Sequence, residues 1–194
     1  GSGTVTGLAV GGLPDGTVDD GTVASGIASS KLTGALPAIS GASLTGFTDA
    51  QMPTGSVIQV VQVSGAVSRT TISSTGSWTG HFSLAITPSS TSSKILISAV
   101  CPIALQSTGN HMRGGLRLER GSTTIWNDGD FGEQFQFRNA DNEGNQVIPI
   151  HYLDSPSSTS AVTYTVQGIL TTGNALLLFE KAFGTNMTLM EIKG

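Results

Sequence analysis

The residues best suited to chemistry lie between positions 126 and 146, in the stretch WNDGDFGEQFQFRNADNEGNQ. Carboxylate, amide, guanidinium and aromatic groups are concentrated there, although charged residues make up only 11% of the chain. Aromatic faces stack on sugar rings or apolar patches, while carboxylates and amides form hydrogen bonds with hydroxyl groups. The stretch therefore predicts a recognition loop. Its candidate binding residues are Trp126, Asp128, Asp130, Phe131, Glu133, Arg138, Asp141, Asn142 and Glu143.

A calcium site is one alternative for the second half of this loop. Asn139, Asp141, Glu143 and Gly144 occupy positions 1, 3, 5 and 6 of an EF-hand calcium loop. Position 12, where a bidentate glutamate belongs, is Ile150, so an EF-hand is excluded. A looser calcium site stays open, as does a pair of turns built from Asp, Asn and Gly, which adopt turns readily. We therefore assign no metal ion to the loop.

A strand is the alternative for the FQF part of the stretch. It places Phe135 and Phe137 in the core, and this is the interpretation we favour for those two side chains. Trp126 and Phe131 are then the aromatic residues expected at the surface.

The carboxylate pairs of the loop are the residue type that glycosidases use. Asp128 and Asp130 form one pair, and Asp141 and Glu143 form another. Their separation cannot be derived from sequence within turns, so the pairs alone do not predict a hydrolase. Nothing in the chain resembles a nucleophile elbow. We therefore expect a binding protein that is not an enzyme and needs no cofactor.

The histidines and the single cysteine give little sign of a metal site. His81, His111 and His151 are scattered and show no metal-ligand spacing within one chain. One alternative stays open, in which a trimer brings three copies of His111 together at its axis to form a metal site. Cys101 lies within ILISAVCPIAL, where a buried structural thiol is expected and no disulfide within the chain can form.

Composition narrows the class of protein further. The net charge of -4 is spread along the chain, and no run of Lys and Arg is available to neutralise phosphates, so nucleic-acid binding is not expected. The sequence contains no window of about 18 consecutive apolar residues, so membrane insertion is not expected. A monomer with 11% charged residues would present an unusually bare surface. Low charge therefore favours an obligate oligomer, whose subunits cover one another.

Eight strand-like segments separated by Ser-, Gly- and Pro-rich turns follow residue 56, which is typical of an all-β antiparallel sandwich. They are residues 57–63, 82–87, 94–105, 115–126, 146–153, 162–171, 175–181 and 187–193. In GHFSLAIT, alternation predicts Phe82, Leu84 and Ile86 inside and His81 outside.

Three of these segments, VIQVV, KILISAVCPIAL and ALLLF, are instead apolar on both faces. In an isolated sandwich they would leave an apolar stripe in water. We therefore expect them to face neighbouring subunits near a trimer axis. The candidate interface residues are Val57, Ile58, Val60, Leu96, Val100, Leu177 and Phe179.

Residues 1–50 have a different texture from residues 51–194. Apolar residues recur there every two to five positions among Gly, Ser, Thr and Ala, and Leu-Thr-Gly occurs at 32–34 and again at 44–46. The pattern predicts a slender, extended stalk segment that winds with copies of itself, and a flexible linker is the alternative. Pro53 and Gly55 mark the joint to a β-sandwich head at 51–194.

Residues 51–194 resemble the C-terminal tip domains of bacteriophage tail fibres, particularly those of marine phages. The resemblance is carried by MPTGSVIQVVQV, ITPSSTSSKILI, LRLERGSTTIW, HYLDSPSSTSAVTYTVQ and the terminal MTLMEIKG. GALPAISGASLTGF, further upstream, is similar to the stalk segment that precedes such tips.

This resemblance implies a homotrimeric, extracellular virion fibre with a jelly-roll head of the tumour-necrosis-factor (TNF) or complement-C1q type. The head would bind a host cell-surface glycan or protein, and the fibre would join other virion tail proteins. Three alternatives stay open: a trimerisation cap that binds nothing, a polysaccharide-degrading enzyme, and a C1q-like or lectin-like module of cellular origin.

Overall fold

A computed structural model of the chain describes residues 48–63, 67–108, 111–127, 135–137, 143–179 and 184–194. The chain divides into two units, Gly1–Thr45 and Gly46–Gly194, and all described residues belong to the second. Only residues 48–50 of the predicted stalk are among them. The stalk and its boundary at residue 50 therefore remain predictions.

The described residues form strands and one short 3₁₀ turn, Asp49–Gln51, so the predicted all-β class is confirmed. The strands are β1 Val57–Gln62, β2 Thr70–Ile72, β3 Thr79–Ile86, β4 Lys94–Gln106, β5 Met112–Arg120, β6 Thr123–Asn127, β7 Phe135–Phe137, β8 Glu143–Asp154, β9 Val162–Thr172, β10 Ala175–Leu178 and β11 Asn186–Ile192.

The strands pair into two antiparallel sheets. The six-stranded sheet has the order β1-β11-β4-β10-β2, with β8 added to β4, and the five-stranded sheet has the order β3-β9-β5-β6, with β7 added to β5. Strand β4 organises the larger sheet because it has 13 residues. One edge of β4 pairs with β11 and then β10, while the other edge pairs with β8 along its length.

The core lies between the two sheets. Alternate residues of β4, beginning with Ile95 and Ile97, are fully buried, and Val166 and Leu170 of β9 meet them from the other sheet. Gly168 of β9 permits the close approach, because a Cβ atom there would lie 2.9 Å from Leu178 Cδ1. A glycine is thus needed where the sheets are nearest.

Each of the eight predicted segments overlaps a strand, with two corrections. Residues 115–126 do not form one strand, because the chain turns at Gly121, whose φ is +59°, and separates β5 from β6. The outward placement of His81 is also wrong. The β3–β9 register shifts between Gly80 and Phe82, and the His81 ring is partly buried against residues of the larger sheet.

Candidate functional site

The predicted recognition loop falls mostly outside the described residues. Asp128, Asp130, Phe131, Glu133, Arg138, Asp141 and Asn142 lie outside them, and Glu143 is placed only as the first residue of β8. The flanks of residues 138–142 are described: Phe137 pairs with Met112, and Glu143 pairs with Gln106. Phe137 and Glu143 therefore lie where β5 begins and β4 ends, which we call the distal end.

Trp126 is the one candidate of this loop whose side chain is described. It pairs with the fully buried Leu118, so its half-buried indole packs against the core. Phe135 is 3% exposed and Phe137 also packs against the core, which confirms the core placement expected for both. Much of the Trp126 ring therefore contributes to core packing, and only its exposed part could contact a ligand.

The opposite, basal end of the sandwich is closed by the last residues of the chain. The Lys193 ammonium donates to the backbone carbonyls of Asp49, Ala50 and Met52 at 2.6, 3.0 and 2.6 Å. The amide of Gly55 donates to the Lys193 carbonyl at 2.8 Å. The terminal IKG sequence thus holds the segment that enters the head.

A buried carboxylate lies next to this closure. Glu191 is fully buried, and its oxygens accept hydrogen bonds from the Ser89 amide and hydroxyl, both 2.7 Å, and from Gln59 Nε2 at 2.6 Å. Burial alone would raise the pKa of Glu191, but these bonds and one from Ser93 outweigh it and lower the pKa. The carboxylate is therefore a structural anion that ties β1, β11 and the β3–β4 turn together.

Two more polar contacts join the sheets. Asp154 of β8 accepts from Arg120 Nη1 at 2.9 and 3.0 Å and from the Tyr164 hydroxyl at 2.8 Å. Burial, and then the hydrogen bond to Asp154, raise the pKa of Tyr164, so the phenol remains a donor. At another edge, His81 Nδ1 lies 3.0 Å from Thr70 Oγ1, and His81 Nε2 lies 3.0 Å from the Phe179 carbonyl.

One part of the outer face of the six-stranded sheet is apolar. Strand register aligns Val60, Met190, Leu96 and Leu153 in one straight row across β1, β11, β4 and β8. Val60 is 57% exposed and Leu153 is 51% exposed. Paired residues share a face of a sheet, so this row lies on the side away from the core. We call this row, with the neighbouring Val57 and Ile192, the apolar face; the next row in the other direction, Gln62, Thr188, Ser98 and His151, is polar.

The three segments predicted to be apolar on both sides, β1, β4 and β10, all belong to this sheet. Val57 and Val60 are exposed, Leu96, Val100, Leu177 and Phe179 are half-buried, and Ile58 lies at a register shift in β1. Sequence reasoning missed Val147 and Leu153 of β8, which are 59% and 51% exposed. The signal was present in VIPIHYL, where both alternating sets contain apolar residues.

The outer face of the five-stranded sheet is polar. Arg117 Nε and Nη2 donate to Gln167 Oε1 at 3.0 and 2.8 Å, and Gln167 Nε2 donates to Glu119 at 2.6 Å. Arg117 also forms a 2.6 Å ion pair with Glu119, and its guanidinium lies 4.5 Å from the centroid of the Trp78 ring. The Arg117–Glu119 ion pair lies within strand β5, and Gln167 of β9 and the Trp78 ring extend it into a larger cluster.

The described residues offer no metal site and no activated nucleophile. Among them, no three His, Cys, Asp or Glu side chains are grouped so that they could hold an ion. Cys101 is buried as expected, and burial raises the pKa of its thiol to about 12, far from a reactive thiolate. None of the helices described is long and apolar enough to cross a membrane.

The sequence matches no protein-family model and no curated protein. Among solved structures, it is similar to VP2 of infectious bursal disease virus in a subviral particle, with TM-score 0.41, 10% identity and coverage of 70% of this chain and 33% of that one. For a mutant VP2 from T=1 particles, the TM-score is 0.39 and the identity 10%, with coverage of 70% of this chain and 36% of that one. For a Gt-strain structure of the same virus, the TM-score is 0.34 and the identity 10%, with coverage of 82% of this chain and 43% of that one.

These neighbours are viral capsid proteins, and the chain spans less than half of their length. With scores this low, the likeness carries no argument about the present chain. The two-sheet fold stands on the strand pairing described above.

Proposed function

We propose that this chain is a homotrimeric virion fibre protein whose head attaches to a host cell-surface structure, a glycan or an outer-membrane component. The observation that carries the proposal is the apolar face. Val60 and Leu153 together present two large, half-exposed aliphatic side chains on one flat sheet, with Leu96 and Met190 between them.

Exposure of such a row to water is energetically unfavourable. Burial of apolar surface stabilises by roughly 25 cal/mol per Å², and large exposed apolar patches on proteins mark interaction sites. Apart from Lys94 at its edge, the paired row Val57–Ile192 next to it is also apolar. A nearly uncharged sheet face is best covered by a surface of the same character. Another copy of this chain, which has few charges anywhere, supplies one.

Attachment is assigned to the distal end. Residues 138–142 are flanked by Phe137 and Glu143, and this end lies opposite the Lys193 closure where residues 48–52 enter the head. Recognition residues are commonly carried by loops on a rigid scaffold. Three weakly binding heads on one fibre gain avidity without any new contact. In this proposal the protein binds and does not catalyse, and the remainder of the fibre joins other tail proteins of the virion.

The test is adsorption of the fluorescently labelled chain to bacterial cells. Candidate hosts are incubated with the chain and with a variant in which Asp128, Asp130, Asp141 and Glu143 are replaced by their amides. We expect saturable binding that the variant loses by at least about tenfold at unchanged solution mass. A variant that binds as well as the original chain on every cell type would overturn the role of the loop.

The basal closure favours a second candidate, a trimerisation cap that only sets the register of the fibre. Lys193 holds the carbonyl groups of Asp49, Ala50 and Met52 next to the last strand, an arrangement that would suit a registering cap. A trimer that binds no cells in the same experiment would favour this candidate. Shortening of a surface polysaccharide during incubation would instead favour an enzyme.

A further inference from the structure

The outer face of the five-stranded sheet contains a cluster that the attachment proposal does not use. Register places Gly80, Gln167, Arg117 and Asn127 in one row across β3, β9, β5 and β6. Trp78 lies two residues before Gly80, and its ring meets the Arg117 guanidinium at 4.5 Å. The indole that precedes β3 thus lies beside a row of four positions, one from each of the four strands.

The polar groups of this cluster are held in fixed positions. Arg117 donates twice to Gln167 and once to Glu119, and Gln167 also donates to Glu119. Side chains held in this way lose little further entropy when a ligand binds. The guanidinium and the carboxylate offset each other, so the cluster carries no net charge that would select an ionic ligand.

The surface next to Trp78 is shallow and accessible. A Cβ atom at Gly80 would meet only Thr165 Cγ2, at 3.8 Å. Asn127 and Ser83 are exposed, while Trp78 and Arg117 are half-buried. Arg117 and Glu119 lie two residues apart on β5, so an ion pair within one strand explains why they are neighbours. It does not explain a partly exposed indole beside an open strip of amide and hydroxyl groups.

We infer that this cluster, Trp78 with Gln167, Arg117 and Asn127, is a binding site for a neutral saccharide. The indole supplies an apolar surface for the C–H face of a sugar ring, and the amides and guanidinium supply hydrogen bonds for its hydroxyl groups. The site lies on the side of the sandwich; it shares only Asn127 with the 126–146 stretch and includes none of the candidate binding residues of that stretch. It therefore goes beyond the attachment proposal and does not rest on it.

Tryptophan fluorescence tests the site. The chain contains two tryptophans, so Trp126→Phe leaves Trp78 as the only indole. This variant is titrated with a panel of neutral oligosaccharides of glucose, galactose, mannose and N-acetylglucosamine, and with dextran sulfate as the anionic comparison. We expect a saturable spectral change with at least one neutral oligosaccharide and none with dextran sulfate.

Variants then locate the contact by calorimetry with the same sugar. Trp78→Ala should weaken binding by about tenfold or more, while Trp78→Phe, which keeps an aromatic face, should retain most of it. Asn127→Ala should weaken it by a smaller factor, and Asn145→Ala on the other sheet should have no effect. Circular dichroism checks that each variant is folded.

The inference is overturned if no neutral oligosaccharide binds, if dextran sulfate binds in preference, or if folded Trp78→Ala binds as tightly as the original chain. Cell adsorption through the distal loop is measured separately on the carboxylate-to-amide variant. Failure of one site therefore does not imply failure of the other.

Discussion

The two sheets of the head share one core but present different surfaces to the outside. The six-stranded sheet aligns Val60, Met190, Leu96 and Leu153 outward, whereas the five-stranded sheet aligns Gly80, Gln167, Arg117 and Asn127. In the polar row, Arg117 and Gln167 form hydrogen bonds to each other, so these side chains are stable in water without a protein subunit to cover them. In the apolar row, the exposed side chains are stabilised only when another apolar surface covers them. Inward residues thus define the fold, and outward residues define what the head contacts.

The largest expected effect comes from placing charge on the apolar face. Val60→Glu combined with Leu153→Glu should weaken self-association on the order of a thousandfold, because two carboxylates would be buried without partners. The matched control is Thr165→Glu on the polar face, which should leave association unchanged. Analytical ultracentrifugation over a dilution series measures both. Equal behaviour of the two variants would remove the distinction between the faces.

The next largest effect concerns the contact that joins the sheets. Asp154→Ala should lower the free energy of unfolding by about 3 kcal/mol, because Arg120 and the buried Tyr164 hydroxyl lose their shared acceptor. Asp49→Ala, at an exposed position, is the control. Urea denaturation provides the measurement. A loss no greater than that of the control would mean that the sheets are held by apolar packing alone.

On the polar face, the internal network predicts a smaller and compensable effect. Arg117→Met should cost about 1 kcal/mol of unfolding free energy, since Glu119 is left without its cation, and adding Glu119→Gln should recover part of it. Solution mass should not change in either variant. Strictly additive effects of the two substitutions would show that the pair is not coupled.

The smallest expected effect is a pH dependence at the edge where the sheets meet. Burial lowers the pKa of His81, partly opposed by its hydrogen bond to Phe179, so the folded state prefers the neutral ring. As pH falls below the ordinary value of 6.5, the unfolded chain takes up a proton that the folded chain resists. Stability should therefore decline from pH 6.5 downward until the lowered pKa is reached. Thermal unfolding of His81→Gln should lack this component, while exposed His151→Gln should keep it.

Part of this architecture could be predicted from sequence, because strand content depends on local alternation. The doubly apolar segments were recognised as unusual, and the structure gathers them in one sheet. Their role as a contact between subunits remains a prediction. The exposed positions Val147 and Leu153 of β8 are hard to predict, since both alternating sets of that segment contain apolar residues and neither stands out as the inward one.

What could not be predicted depends on pairing and irregularity. The register shift at Gly80 turns His81 toward the larger sheet, and no local pattern signals such a shift. Trp78 and Arg117 are 39 positions apart and meet only because β3 and β5 both flank β9. The indole of Trp126 packs inward because β6 folds back after Gly121. The prediction of one continuous strand over residues 115–126 did not include this turn.

The central claim is that the apolar face is covered by other copies of this chain, and the solution mass of the unmodified protein tests it most directly. Size exclusion with light scattering, repeated over a hundredfold dilution, should give three times the chain mass of 19.8 kDa at every concentration. A stable monomer of 19.8 kDa would contradict the claim, because Val60 and Leu153 would then remain in water.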